Sequence, residues 1–181
     1  MDMTGERLIA ASRPSVWAAL NDPEVLKACI PGCDSLEKTS DTQMRASASI
    51  KLGPVAAKFA GKLNLSDMDP PAGYKISGEG QGGAAGFAKG EAVVRLSERQ
   101  DGTLLSYTVQ AQVGGKIAQL GGRLIDATAK SMADQFFKKF AAQLEPPETN
   151  PADTVAGASS MPTENRRNWL VRLWRALRRL F

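Results

Sequence analysis

The sequence predicts an α+β protein: a curved antiparallel sheet wrapped around one long helix, then a linker and a short amphipathic helix. Three observations predict this. Read at 100° per residue, Lys116 to Leu144 puts Ile125, Ala129, Met132, Phe136, Phe140 and Leu144 on one stripe, and Arg123, Asp126, Lys130, Asp134 and Lys138 on another. The stretch before it alternates with a period of two, as strands do. After Leu144 the prolines Pro146 and Pro147 forbid another turn, and the composition changes. The long helix contains no proline, follows Gly114 and Gly115, and at 1.5 Å per residue should run about 43 Å.

With 181 residues, 43% of them hydrophobic, the chain is long enough for one domain with its own core and a tail. The division read here is a domain over 1–145, a flexible linker over 146–164 and an amphipathic helix over 165–181. The net charge of +4 is unevenly spread. Asn165 to Phe181 holds six arginines and no acid, Pro146 to Glu164 holds three acids and no base, and residues 1 to 145 are left at +1. A nearly neutral domain carries no basic footprint for nucleic acid. The sequence has no histidine, which removes the commonest general base and the commonest metal ligand. No basic-then-apolar leader and no run of about 18 apolar residues is visible, so the domain is expected in the cytosol with Cys29 and Cys33 reduced.

Taken in order, Thr4 to Ala11 reads as a first strand. Ser12 and Pro14 then open a helix through Val16, Trp17 and Leu20: the serine oxygen can accept from the first turn, where the proline needs no N–H. Asn21, Asp22 and Pro23 break it, and a second short helix carries Val25, Leu26 and Ala28 as far as Pro31 and Gly32. From Gln43 to Leu52, Met44, Ala46, Ala48, Ile50 and Leu52 face one way and Arg45, Ser47, Ser49 and Lys51 the other. Gly53 and Pro54 punctuate, and Ala57, Phe59, Gly61, Leu63 and Leu65 form the apolar side of the hairpin partner. Asp69 to Gly73 is a turn. Further strands hold Tyr74 and Ile76, then Ala92, Val94 and Leu96, then Leu105, Tyr107, Val109, Ala111 and Val113, with Asp101 and Gly102 turning between the last two.

Many inward positions are small: Ala46, Ala48, Ala57, Gly61, Gly78, Gly80 and Ala111. Such a face either leaves a cavity under the long helix or lets that helix dock tightly; the cavity is the reading adopted. Its expected lining is Ile30, Phe59, Leu63, Tyr74, Phe87, Tyr107, Val109, Met132, Phe136 and Phe140. Tyr74, Tyr107, Phe136, Phe137 and Phe140 either form an aromatic pocket or pack the core.

The order of elements resembles the helix-grip fold of the START-like ligand-binding superfamily. Within it, Ala11-Ser12-Arg13-Pro14-Ser15-Val16-Trp17, then Asn21-Asp22-Pro23, then Cys29-Ile30-Pro31-Gly32-Cys33, is similar to the CoxG family of carbon monoxide dehydrogenase proteins. The alternating Ala-rich strand and the Gly-rich stretch at 78–86 add to that likeness, which covers residues 1 to about 145. The resemblance implies an accessory protein, not a catalytic subunit. It implies association with soluble molybdenum hydroxylases of the carbon monoxide dehydrogenase type at the cytoplasmic membrane, where electrons enter the quinone pool. It also implies a hydrophobic ligand under the long helix, with a quinone as the possible guest and no covalently bound cofactor.

The last 17 residues are read without any family. On a helical wheel Trp169, Leu170, Leu173, Trp174, Ala176, Leu177, Leu180 and Phe181 span about 160°, with Arg167, Arg172, Arg175, Arg178 and Arg179 opposite. Six arginines exclude a transmembrane span, and the pattern fits a helix lying in the interface of an anionic membrane, on its cytoplasmic face. At about 1 kcal/mol per basic residue, electrostatics supply at most about 6 kcal/mol before apolar burial. A partner-groove helix and a nucleic-acid arm are the rival readings, and the paired tryptophans in line with leucines argue against the latter.

Other motifs carry less. Cys29 and Cys33, across a Pro-Gly turn with no second pair, do not complete a tetrahedral metal site, and the reading adopted is two small half-buried side chains. Gly78, Gly80 and Gly83 match G-x-G-x-x-G, but a strand follows where a dinucleotide site needs a helix. Cofactor-free catalysis of the cyclase or hydrolase kind is the alternative function; the missing histidine and the apolar inward set count against it. A pure tether without ligand is the third.

Overall fold

The computed structural model describes residues 1–144. The chain forms β1 (Asp2–Ile9), the helices α1 (Arg13–Leu20) and α2 (Pro23–Cys29), then β2 (Cys33–Ser40), β3 (Gln43–Leu52), β4 (Val55–Asp69), β5 (Gly73–Gln81), β6 (Phe87–Arg99) and β7 (Gly102–Gly114), and finally α3 (Gly122–Leu144). Seven strands make one antiparallel sheet in the order β1-β7-β6-β5-β4-β3-β2, and α3 lies against its inner face. This is the α+β helix-grip architecture expected from the sequence.

Local chemistry sets the two short helices. Ser12 Oγ accepts from Ser15 N at 3.3 Å ahead of α1, and Asp22 Oδ1 accepts from Glu24 N at 2.9 Å ahead of α2, each with a proline in the first turn. The period-two pattern sets the sheet. Met44 pairs with Leu63, Leu65 with Ile76, Tyr74 with Val94 and Val94 with Tyr107, so large inward side chains meet in rows across neighbouring strands. Phe140, Val16, Cys29, Ile9, Leu105 and Thr103 are almost entirely buried where α1, α2 and the C-terminal half of α3 converge. Thr103 satisfies its hydroxyl by donating to Ala11 O at 2.8 Å.

Three boundaries differ from the sequence reading. The long helix begins at Gly122, so it runs about 35 Å and not 43 Å. Gly115–Leu120 forms a separate 3-10 helix, bracketed by Gly115 and Gly121 at φ 81° and 87°, a left-handed backbone that interrupts the α path. The first strand is Asp2–Ile9, because its inward positions are Met3, Gly5, Arg7 and Ile9, a set that hides the apolar alternation. The strand β2 escapes a period-two reading for a similar reason: its register shifts between Cys33 and Ser35, which breaks the alternation.

Candidate functional site

The inner face of the sheet changes along every central strand. Towards α1 and α2 it presents Leu36, Met44, Leu65, Tyr74, Val94 and Leu105; further along the same strands come Ala48, Gly61, Gly78, Gly80, Gly90 and Ala111. Two cavities result. The first, about 330 Å³, lies between the sheet, α2 and α3, and Met132, Ala133, Phe136 and Phe137 form its helical wall. None of its lining side chains is charged. The second, about 360 Å³, lies over the small residues and shares Leu63, Ile76, Ala92 and Val109 with the first, so the two abut.

The glycines of that floor are held by sterics. A Cβ on Gly61 would run into the Glu79 carbonyl, and one on Gly90 into the Gln110 carbonyl. Gly80 differs, since a Cβ there has its nearest neighbours at 3.9 Å and points into open space. At the far end Phe59, Ala85 and Ile117 form a second small apolar cluster that closes the space over the small-residue floor.

Aromatic rings build the wall between the cavity and β1. Phe137 stacks on Tyr107 with centroids 5.1 Å apart, Phe136 meets Phe137 edge-on at 5.1 Å, and Phe136 stacks on Phe140 at 5.6 Å. The Arg7 guanidinium sits 5.6 Å from the Phe137 ring centroid and pairs with Asp134, which ties β1 to α3. On the opposite wall Trp17 packs edge-on against Tyr74 at 5.4 Å. Burial pushes the Tyr74 phenol up, so this group stays neutral.

Of the ten residues expected around the cavity, Ile30, Leu63, Tyr74, Tyr107, Val109, Met132 and Phe136 line the first space. Three lie elsewhere. Phe140 is fully buried in the core beneath the cavity, one helical turn beyond Phe136. Phe59 borders the small-residue space and anchors the far cluster. Phe87 is 39% exposed, because it has the outward parity of β6 and its ring lies over Gly114. Sequence reasoning missed Met3 and Phe137 as lining residues. Phe137 was legible as an aromatic beside the apolar stripe; Met3 was hidden by the irregular pattern of β1.

Cys29 is buried and Cys33 half-buried, both are free, and burial is the main cause that raises each thiol pKa. Gly78 and Gly80 lie within β5 and Gly83 opens a short 3-10 turn that leads into β6, so the G-x-G-x-x-G match opens no α-helix. Among the described residues no group of three His, Cys, Asp or Glu could hold a metal ion, and no helix is long and apolar enough to cross a membrane. The arginines, tryptophans and leucines assigned to the membrane, and the linker before them, lie outside the described residues.

Comparison with known proteins places this architecture. A conserved protein from Geobacillus kaustophilus matches with a TM-score of 0.75 at 34% identity, over 80% of this chain and 95% of that one. A protein from Chromobacterium violaceum matches at 18% identity and TM-score 0.59, over 81% of this chain and 99% of the other, and one from Mycobacterium smegmatis at 17% and 0.59, over 80% and 90%. The last two likenesses speak for the fold alone. No curated protein matches the sequence. The family model of the carbon monoxide dehydrogenase protein CoxG matches residues 5–145, nearly all of the described domain. Together with the helix-grip sheet and its apolar cavity, that match shows that the chain belongs to the CoxG family of carbon monoxide dehydrogenase proteins.

Proposed function

We propose that this protein is a non-catalytic accessory protein that recruits a soluble molybdenum hydroxylase of the carbon monoxide dehydrogenase type to the cytoplasmic membrane. In the same proposal its cavity carries a hydrophobic molecule, a quinone or similar lipid, and links the enzyme to the respiratory chain. The observation that carries the reading is the cavity lining, which offers hydrocarbon, aromatic rings and two phenols but no charged group. Such a wall favours transfer of an apolar guest from water at about 25 cal/mol per Å² buried, and it offers little for proton transfer. Family membership supports the choice of partner. The wheel of Trp169, Leu173, Trp174 and Leu177 against Arg172, Arg175 and Arg178 supports the membrane surface.

Native co-purification followed by mass spectrometry of the organic extract tests both halves. The expected result is a molybdenum hydroxylase in the eluate and a stoichiometric prenylated or long-chain lipid in the extract. An empty extract would reduce the protein to a tether. Flotation of the full chain with anionic vesicles tests the surface: Trp169→Ala with Trp174→Ala should release it without moving the thermal unfolding of the domain. A lowered melting temperature would mean instead that the tail packs on the core.

A further inference from the structure

Two tyrosines line the apolar cavity, and their hydroxyls have different fates. Tyr74 Oη donates to Leu20 O at 3.4 Å, so its polarity is spent within the fold. Tyr107 is only 9% exposed, yet its Oη has no hydrogen-bond partner among the described residues. A phenol so deeply buried ordinarily finds a partner, and one left without calls for an explanation.

Its position is built. Tyr107 faces Gly5 across the β7–β1 pairing, and a Cβ on Gly5 would overlap the hydroxyl, so the glycine makes room for it. The ring is held in place by stacking on Phe137. Tyr107 and Met3 are shared between the apolar cavity and a second space of about 390 Å³ between β1 and α3. That second space is polar. Arg7, Lys130, Asp2, Asp126 and Asp134 border it, two cations against three carboxylates, with Arg7 already paired to Asp134. An anionic head group would therefore meet a surplus of like charge.

We propose that this vestibule is the head-group subsite of the cavity. It takes the uncharged, oxygen-bearing head, a carbonyl or hydroxyl, of an otherwise apolar molecule, and Tyr107 Oη is the hydrogen-bonding group that selects it. The inference rests on the reading that the cavity carries a guest. It goes further in naming the residue and in excluding fatty acids and phospholipids as preferred occupants. Removing one neutral hydrogen bond should weaken binding about tenfold.

The test uses the delipidated full chain and three probes with equal ten-carbon chains: an alkyl benzoquinone, the corresponding alkylbenzene and the fatty carboxylate. Binding is read from the fluorescence of Trp17, which packs against Tyr74 in the cavity wall, in a background with Trp169 and Trp174 replaced by Phe. Tyr107→Phe is expected to weaken the quinone about tenfold, to leave the alkylbenzene within about twofold and to leave the melting temperature unchanged. Gly5→Ala, which displaces the hydroxyl, should reproduce the quinone loss. Equal weakening of quinone and alkylbenzene, no change in either, or a carboxylate that binds more tightly than the quinone would overturn the assignment while leaving the carrier reading intact. If none of the probes binds the wild-type chain, the carrier reading fails and the subsite fails with it.

Discussion

The two halves of the sheet's inner face are made from the same five strands and behave as different materials. Along β3 the series runs Met44, Ala46, Ala48; along β4 in reverse, Leu65, Leu63, Gly61; along β5, Tyr74, Ile76, Gly78, Gly80; along β6 in reverse, Leu96, Val94, Ala92, Gly90, Ala88; along β7, Leu105, Tyr107, Val109, Ala111. The half near α1 and α2 is filled by large side chains and by Phe140, and it holds the fold together. The other half keeps its strands in register while leaving the space above them open. The contrast teaches that a strand can hold its hydrogen-bond ladder while the size of its side chains alone decides between core and container.

Substitutions on the two sides sharpen this contrast. The largest expected effect belongs to Phe140→Ala in the filled half, which should lower stability by about 3–5 kcal/mol in urea unfolding. Within the open half, two glycines at neighbouring positions should diverge. Gly61→Ala drives a Cβ into the Glu79 carbonyl and is expected to cost about 1–3 kcal/mol. Gly80→Val points its added atoms into the cavity, so stability should stay within about 1 kcal/mol of wild type while the lipid recovered in the organic extract falls. If Gly80→Val destabilises as much as Gly61→Ala, the open half is packed after all and the comparison collapses.

The smallest effect lies outside both halves. Asp34 on β2 accepts from Ser49 Oγ at 2.9 Å and sits 3.3 Å from Lys58 Nζ, and these two partners, the serine first, hold its carboxyl below the usual range. Because the folded pKa is the lower one, this contribution is present above the unfolded value and disappears as pH falls through the folded value. Ser49→Ala should raise the Asp34 pKa in a carboxyl NMR titration and leave the unfolding midpoint at pH 7 almost unmoved, since the group is exposed.

What the sequence determined by itself was the order of elements and their apolar side. Periodicity, caps and proline or glycine stops act over a few residues, so Ser12, Asp22, the alternation from Gln43 to Leu52 and the stripe on α3 can be read directly. The Ala- and Gly-rich inward positions also showed that space would be left, because side-chain volume needs no fold to be counted. Tertiary structure alone decided where that space lies. Whether Phe136 or Phe140 borders it depends on how far α3 slides along the sheet, and the Gly115 and Gly121 breaks shift that helix from its expected start. The Tyr107–Phe137–Arg7 wall joins residues more than a hundred positions apart, through the β1–β7 register and the phase of α3. No local pattern encodes such a meeting, because it depends on where the whole sheet curves and which edge strand closes it.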